Sequence, residues 1–160
     1  MEKFMINLGR SLLAWIVASL SGFLMVGISF ATGDFPTTEV YYFPSMAEII
    51  TWIHSLVVIA AFFFVGTELH LLKNQWWNLL SVCGIAVIGL LLALTEQYFT
   101  ILVVLVFIGL INVTRFIEFG NPHVEYTVLT TIPAILPSLI IWLGMLYKSK
   151  KVEKSAKVTD

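Results

Sequence analysis

Five long stretches of the chain contain no charged residue, and each is 18 to 23 residues long. A helix rises about 1.5 Å per residue, so roughly 20 residues cross a hydrocarbon core of about 30 Å. Because the backbone must satisfy its own hydrogen bonds in lipid, each stretch is expected to be helical. The pattern therefore predicts an all-α integral membrane protein, a bundle of about five transmembrane helices with no soluble domain, built on the charge-free stretches 11–33, 49–67, 74–95, 97–114 and 126–147.

Aromatic residues and helix breakers refine the helix boundaries. Tyr and Trp recur near the ends of the stretches, where amphipathic rings favour the headgroup level. Asp34-Phe35-Pro36 and Asn121-Pro122 interrupt the chain between stretches. These signals predict one transmembrane domain over residues 1–147 and a basic, mobile tail over 148–160, with spans at about 11–33, 47–72, 76–95, 98–117 and 127–147.

The composition supports a membrane location. Hydrophobic residues make up 59% of the chain and charged residues only 12%, whereas soluble domains carry about 25% charged residues. Cys83 is the only cysteine, so an internal disulfide and a multi-cysteine metal site are excluded. The apolar run after Arg10 is too long for a cleaved signal peptide. We expect a multi-pass protein of the cell membrane, surrounded by lipid and without nucleic-acid partners.

The distribution of Lys and Arg gives contradictory indications of orientation. With five spans the termini lie on opposite sides, and the N-terminal side, called side A here, then holds Lys3, Arg10, Lys73 and Arg115. The opposite side, called side B, then receives the tail with its five lysines. One segment failing to cross would remove the conflict and leave both termini inside, and the segment 126–147 with its two prolines is the candidate. We expect side A to be cytoplasmic.

Titratable residues recur at the span ends that five crossings assign to side A. Such a cluster suits metal binding, proton relay or recognition of an anionic headgroup, but long charged side chains at an interface are more often simply solvated or paired. We expect the members to converge if they are functional, with Glu68 tied to Arg115. The cluster comprises Glu68, His70, Lys73, Arg115, Glu118, His123 and Glu125.

The histidines set limits on bound metals and cofactors. His70 and His123 could form a metal site only if the fold brings them together, and no His-x-x-x-His spacing is present. His54 is an ionisable residue within a span, which marks a candidate site, although a hydrogen-bonded packing role is the more ordinary interpretation. His54 and His70 lie about 24 Å apart on one helix and cannot ligate one haem. The sequence therefore names no metal, no cofactor and no catalytic residue.

Small residues and a proline predict the helix contacts. Ala14, Ala18 and Gly22 recur at four-residue steps, and Gly89 belongs to a similar face of the third span, so each permits close helix approach. These faces fit packing within the bundle or against another subunit. Pro137 lies in the middle of the last span, where a kink is expected, with Asn112 and Thr114 as donors to the carbonyl it frees.

Three function classes remain open on these residues. The first is a non-catalytic membrane module, such as an accessory or assembly subunit or an immunity-type protein, acting through helix contacts with another subunit or a second copy. The second is a transporter or small-ligand-binding protein that uses the side A cluster and the Pro137 kink. The third is a membrane metalloenzyme built on His70 and His123. We favour the first class.

Overall fold

Four helices form the part of the chain that the computed structural model describes, namely residues 1–32, 46–94 and 122–159, with side chains over 1–28, 49–92 and 131–156. No strand occurs in these ranges. Each helix contains a segment long and apolar enough to cross a membrane, which confirms four predicted spans as apolar helices. The predicted span at about 98–117 lies outside the described residues. The helices are α1 (Glu2–Thr32), α2 (Met46–Glu68), α3 (Gln75–Leu94) and α4 (Pro122–Thr159).

Two helices are much longer than the spans that the sequence predicts. α1 begins at Glu2, nine residues before the predicted start of the first span. α4 continues through the tail to Thr159, where a mobile segment is predicted. The length of a charge-free stretch reflects only the part of a helix that lies in the hydrocarbon core. The pattern therefore does not show how far a helix continues beyond the lipid.

Contacts along α1 fix the directions of the first three helices. Near its start, the side-chain amide of Asn7 bonds to the backbone of His70, and the ring of Phe4 meets that of Trp77 at 6.3 Å. Further along α1, Ser21 contacts His54. α1 is therefore antiparallel to α2 and runs in the same direction as α3. The α2–α3 turn lies at side A.

α4 returns from side B to side A. Ala134 packs on Gly89, and Lys148 reaches the Leu69 carbonyl at the end of α2. Both the start of α1 and the tail helix 148–159 consequently lie at side A, whereas Leu94 and Pro122 lie at side B. The five-span prediction, which places the two termini on opposite sides of the membrane, is wrong for the described helices. The segment 126–147, suspected of failing to cross, belongs to a helix that runs the length of the bundle.

The core of the described bundle forms around α4. Although a short turn joins α2 and α3, both make their main contacts with α4 rather than with each other. Phe62, Ile85, Ile141 and Met145 are buried at this junction, one from α2, one from α3 and two from α4. α1 covers the α2–α3 side of the bundle more lightly.

A pair of glycines allows the backbones of α2 and α4 to touch. A Cβ added at Gly66 would lie 3.0 Å from Cα of Gly144 and 2.9 Å from the carbonyl carbon of Ile141. A Cβ added at Gly144 would in turn lie 3.0 Å from Cα of Gly66. Contacts this close involve rigid backbone on both sides, so only glycine fits at either position. The sequence prediction of packing residues did not include this pair.

The predicted small-residue faces point into the bundle. Ala18 and Gly22 are buried and Ala14 is half-buried, whereas Leu24, two residues beyond Gly22, is 66% exposed. Gly89 is buried against α4, where an added Cβ would lie 3.1 Å from Cα of Ala134. Within one chain these faces serve internal packing.

α4 is one continuous helix through both of its prolines. Pro133 and Pro137 are buried, and Pro137 is among the largest fully buried residues of the described chain. Asn112 and Thr114, the donors predicted to compensate for Pro137, lie outside the described residues.

Candidate functional sites

The described members of the side A cluster predicted from the sequence lie at opposite ends of the bundle. Glu68, His70 and Lys73 are exposed around the α2–α3 turn at side A. His123 and Glu125 lie in the first turn of α4, at side B. Lys148 lies level with the α2–α3 turn. The axial distance along α4 from His123 to Lys148 is about 37 Å for 25 residues of helix.

A site that joins His70 to His123 is therefore contradicted, because a metal needs its ligands within about 2–3 Å of one point. Among the described residues no group of three His, Cys, Asp or Glu could hold a metal ion. Arg115 and Glu118 lie outside the described residues, so the predicted pairing of Glu68 with Arg115 is untested.

At side A, the amide of Asn7 clamps the α2–α3 turn to α1. Its Nδ2 donates to the His70 carbonyl at 2.8 Å, and its Oδ1 accepts from the His70 N–H at 3.0 Å. Asn7 is completely buried, and its Nδ2 also lies 3.4 Å from Oγ of Ser81. One side chain thus satisfies both backbone groups of a residue that lies just past the end of a helix, where the backbone lacks intrahelical partners.

Three further side chains bond to backbone groups in and next to this turn. The Oδ1 of Asn78 accepts from the Leu72 N–H at 2.7 Å. Asn74 caps α3, since its Oδ1 accepts from the Trp76 N–H at 2.9 Å. From α4, Nζ of Lys148 donates to the Leu69 carbonyl at 2.8 Å. The turn is consequently held by its own residues and by both neighbouring helices.

Ser138 makes the polar contact between α3 and α4. Its hydroxyl donates to the Val82 carbonyl at 2.9 Å and accepts from the Ala86 N–H at 3.2 Å. These two groups are partners in the i to i−4 ladder of α3, so the hydroxyl bridges one rung of that ladder. Ser138 is buried next to Pro137. It joins helices and is not exposed for chemistry.

His54 occupies a different setting, between α1 and α2 toward side B. Its Nε2 lies 2.9 Å from Oγ of Ser21, and the same hydroxyl bonds to the Ala18 carbonyl at 2.8 Å. Ser21 has one hydroxyl proton, and giving it to Ala18 leaves the oxygen as an acceptor for an Nε2–H of His54. Nδ1 is then a bare acceptor, and this buried atom has no hydrogen-bond partner among the residues that the structure describes.

The sequence pattern identified His54 as a candidate site residue but not the residues that tie the helices together. Asn7, Asn78 and Ser138 were not predicted, and Lys148 was assigned to a mobile tail. The signal for the asparagines is available in the sequence, because an amide within a long apolar helix is costly unless it is paired. Their partners are backbone groups distant in sequence, and no residue pattern identifies those.

Comparison of the chain with protein families, with curated proteins and with solved structures gives no match.

Proposed function

We propose that this chain is a non-catalytic membrane module with four crossing helices and both termini on the cytoplasmic side, acting through contacts of its helices with another membrane subunit or a second copy. Eight of the nine Lys and Arg residues then lie at side A, and the ninth is Arg115. The described residues at side B include Glu48 and Glu125 and neither Lys nor Arg. Positive charge concentrates on the cytoplasmic side of membrane proteins, which supports this orientation in the cell membrane.

The observation that carries the proposal is the use of polar side chains that are buried or half-buried between the helices. Asn7, Asn78, Ser138 and Lys148 all bond to backbone groups of neighbouring or turn residues. Side chains used in this way hold helices in place and are not available to a substrate. Such a bundle is a rigid frame, as an accessory or assembly subunit requires.

Extraction in a mild detergent tests this function. We expect the full-length chain to purify as a complex of fixed stoichiometry, either with itself or with another membrane protein, measured by light scattering and mass spectrometry. A monomer that carries a stoichiometric metal or a coloured cofactor would contradict the proposal and favour an enzyme.

A second candidate function, binding of a small lipophilic ligand, is favoured by the bare Nδ1 of His54. That acceptor suits a hydroxyl donor on the ligand, entering between α1 and α2. A series of lipophilic alcohols and phenols should raise the Tm of the wild-type protein in detergent and leave that of His54→Phe unchanged. Equal shifts in both proteins would reject His54 as the site.

A further inference from the structure

The tail helix is an exposed, basic continuation of a buried span. Within α4, Ile141 and Met145 are fully buried, whereas Lys150, Lys151 and Lys154 are exposed. No break in the helix separates these two parts. The tail helix, residues 148–159, contains five lysines and one acidic residue, Glu153.

Distances along α4 place these lysines at the headgroup level. The apolar part of the span ends at Tyr147. At about 1.5 Å per residue, Lys150 and Lys151 lie about 4.5 and 6 Å beyond it, and Lys154 about 10 Å. The headgroup layer on each side of a bilayer is about 5–8 Å thick. The first two lysines therefore lie within that layer, and the flexible stem of Lys154 can reach back to it.

The position of the tail helix relative to the bundle is also fixed. Lys148 is bonded to the Leu69 carbonyl, so the first turn of the tail helix is anchored to the end of α2. At about 100° per residue, Lys150, Lys151 and Lys154 fall within about 100° of arc on one side of the helix. These charges add to those of Lys3, Arg10 and Lys73 at the same side. Against eight basic residues, the described part of side A holds Glu2, Glu68 and Glu153.

We infer that Lys150, Lys151 and Lys154 form a binding site for the headgroups of anionic phospholipids in the side A leaflet. Basic residues next to a span attract such lipids, and two or more lysines at headgroup depth predict about a tenfold preference over zwitterionic lipid. The site is held by a rigid helix, so the lysines meet the headgroups without ordering a loop first. The attraction is electrostatic and is expected to weaken as salt shortens the Debye length.

Lipid competition with the full-length protein tests this inference. The protein is reconstituted in nanodiscs of phosphatidylcholine with a minor fraction of phosphatidylglycerol. It is then released from the nanodiscs in a native mass spectrometer, and the ratio of bound anionic to bound zwitterionic lipid is measured. We expect about tenfold enrichment of phosphatidylglycerol for wild type in nanodiscs prepared in about 0.1 M salt, and little in about 1 M salt. The triple variant Lys150→Gln/Lys151→Gln/Lys154→Gln should lose most of this enrichment.

The matched control is Lys150→Arg/Lys151→Arg/Lys154→Arg, which keeps the charge and should keep the enrichment. All three positions are exposed, so both variants should retain the Tm of wild type. Equal binding of the two lipids by wild type would overturn the inference. Full enrichment in the glutamine variant would overturn the assignment to these three lysines, since the other basic residues at side A would then carry it. The proposed module function does not depend on either result.

Discussion

Several polar side chains in this bundle bond to the backbone of a neighbouring helix or turn. Asn7 pairs with both backbone groups of His70, and Ser138 bridges the Val82 carbonyl and the Ala86 N–H. In lipid an unsatisfied backbone group costs several kcal/mol, so the ends and turns of helices need such partners most. A buried asparagine amide or serine hydroxyl can satisfy a backbone donor and a backbone acceptor at once.

Replacing Asn7 with leucine should destabilise the bundle. Both backbone groups of His70 lose their partner, and leaving such groups unsatisfied costs about 1–3 kcal/mol. For a chain of this size that corresponds to a fall in Tm of roughly 3–10 °C, measured by thermal unfolding in detergent. Met5→Leu, at an exposed position of the same helix, is the control and should leave the Tm unchanged. A wild-type Tm for Asn7→Leu would mean that water or lipid satisfies the turn.

The tautomer of His54 is predicted by the single proton of Ser21. Because that proton goes to the Ala18 carbonyl, neutral His54 should carry its hydrogen on Nε2 and leave Nδ1 bare. Histidine-specific ¹⁵N NMR distinguishes a protonated from a bare ring nitrogen, and the spectrum of His54→Gln identifies the signals. A protonated Nδ1 with a bare Nε2 would show that the Ser21 hydroxyl donates to the ring instead.

At the scale of helices, a glycine pair brings the backbones of α2 and α4 into contact. The sequence prediction concentrated on recurring small residues, as in Ala14, Ala18 and Gly22, and these do face inward. Gly66 and Gly144 stand alone in their helices and form no repeat. Their importance arises from the meeting of two helices 78 residues apart in the chain, which a search along one helix does not detect.

Substitution of Gly66 by alanine should be severe. The added Cβ would collide with the Ile141 carbonyl and Cα of Gly144, and neither can move without shifting α4. We expect a loss of about 1–3 kcal/mol, as for overpacking in a core, and a matching fall in Tm. The control is Gly27→Ala in α1, where no atom of the described chain lies within 4 Å of an added Cβ.

That control should be neutral or slightly stabilising, because alanine is the better helix former. Similar Tm values for the two alanine variants would show that α2 and α4 can separate at little cost. The glycine pair would then be a consequence of the packing rather than a requirement for it.

At the scale of the whole molecule, the topology can be tested by labelling. Single cysteines at Lys3, Lys73 and Lys154 in a Cys83→Ser background should all react with an impermeant maleimide from one side of the membrane. Cysteines at Glu39 and Asn121 should react from the other side. The five-span prediction places Asn121 with Lys3 and Lys154 opposite them, so these positions distinguish the two topologies. Labelling of Lys3 and Lys154 from opposite sides would contradict the structure.

The class of the fold was predictable from the sequence, whereas the parity of the helices was not. Charge-free length is a local property, and it identified α1, α2, α3 and the apolar part of α4. Parity depends on the number of all the crossings, and a count of five does not agree with the directions of the four described helices. The conflicting positive charges indicated this error, since the lysines after Tyr147 fit the rule only when they share a side with Lys3 and Lys73.

For the candidate site, the sequence placed His54 correctly inside a helix and wrongly grouped His123 with His70. The predicted position of His123 followed from the assumed number of crossings, whereas the described α4 begins at side B and carries His123 there. The side chains that bond to the α2–α3 turn, such as Asn7 and Lys148, are more than 60 residues away in sequence from the backbone groups they contact. Local patterns carry no information about such pairs.

The position of α4 between α2 and α3 has a consequence for biosynthesis. α4 is the last of the four helices to leave the ribosome, yet α2 and α3 make their main contacts with it and not with each other. Until it arrives, the nascent α2–α3 hairpin stands in the bilayer with lipid where its neighbour will be. Folding of the bundle therefore waits for the insertion of α4, and during that interval a chaperone or a membrane protease has access to surfaces that the finished protein conceals.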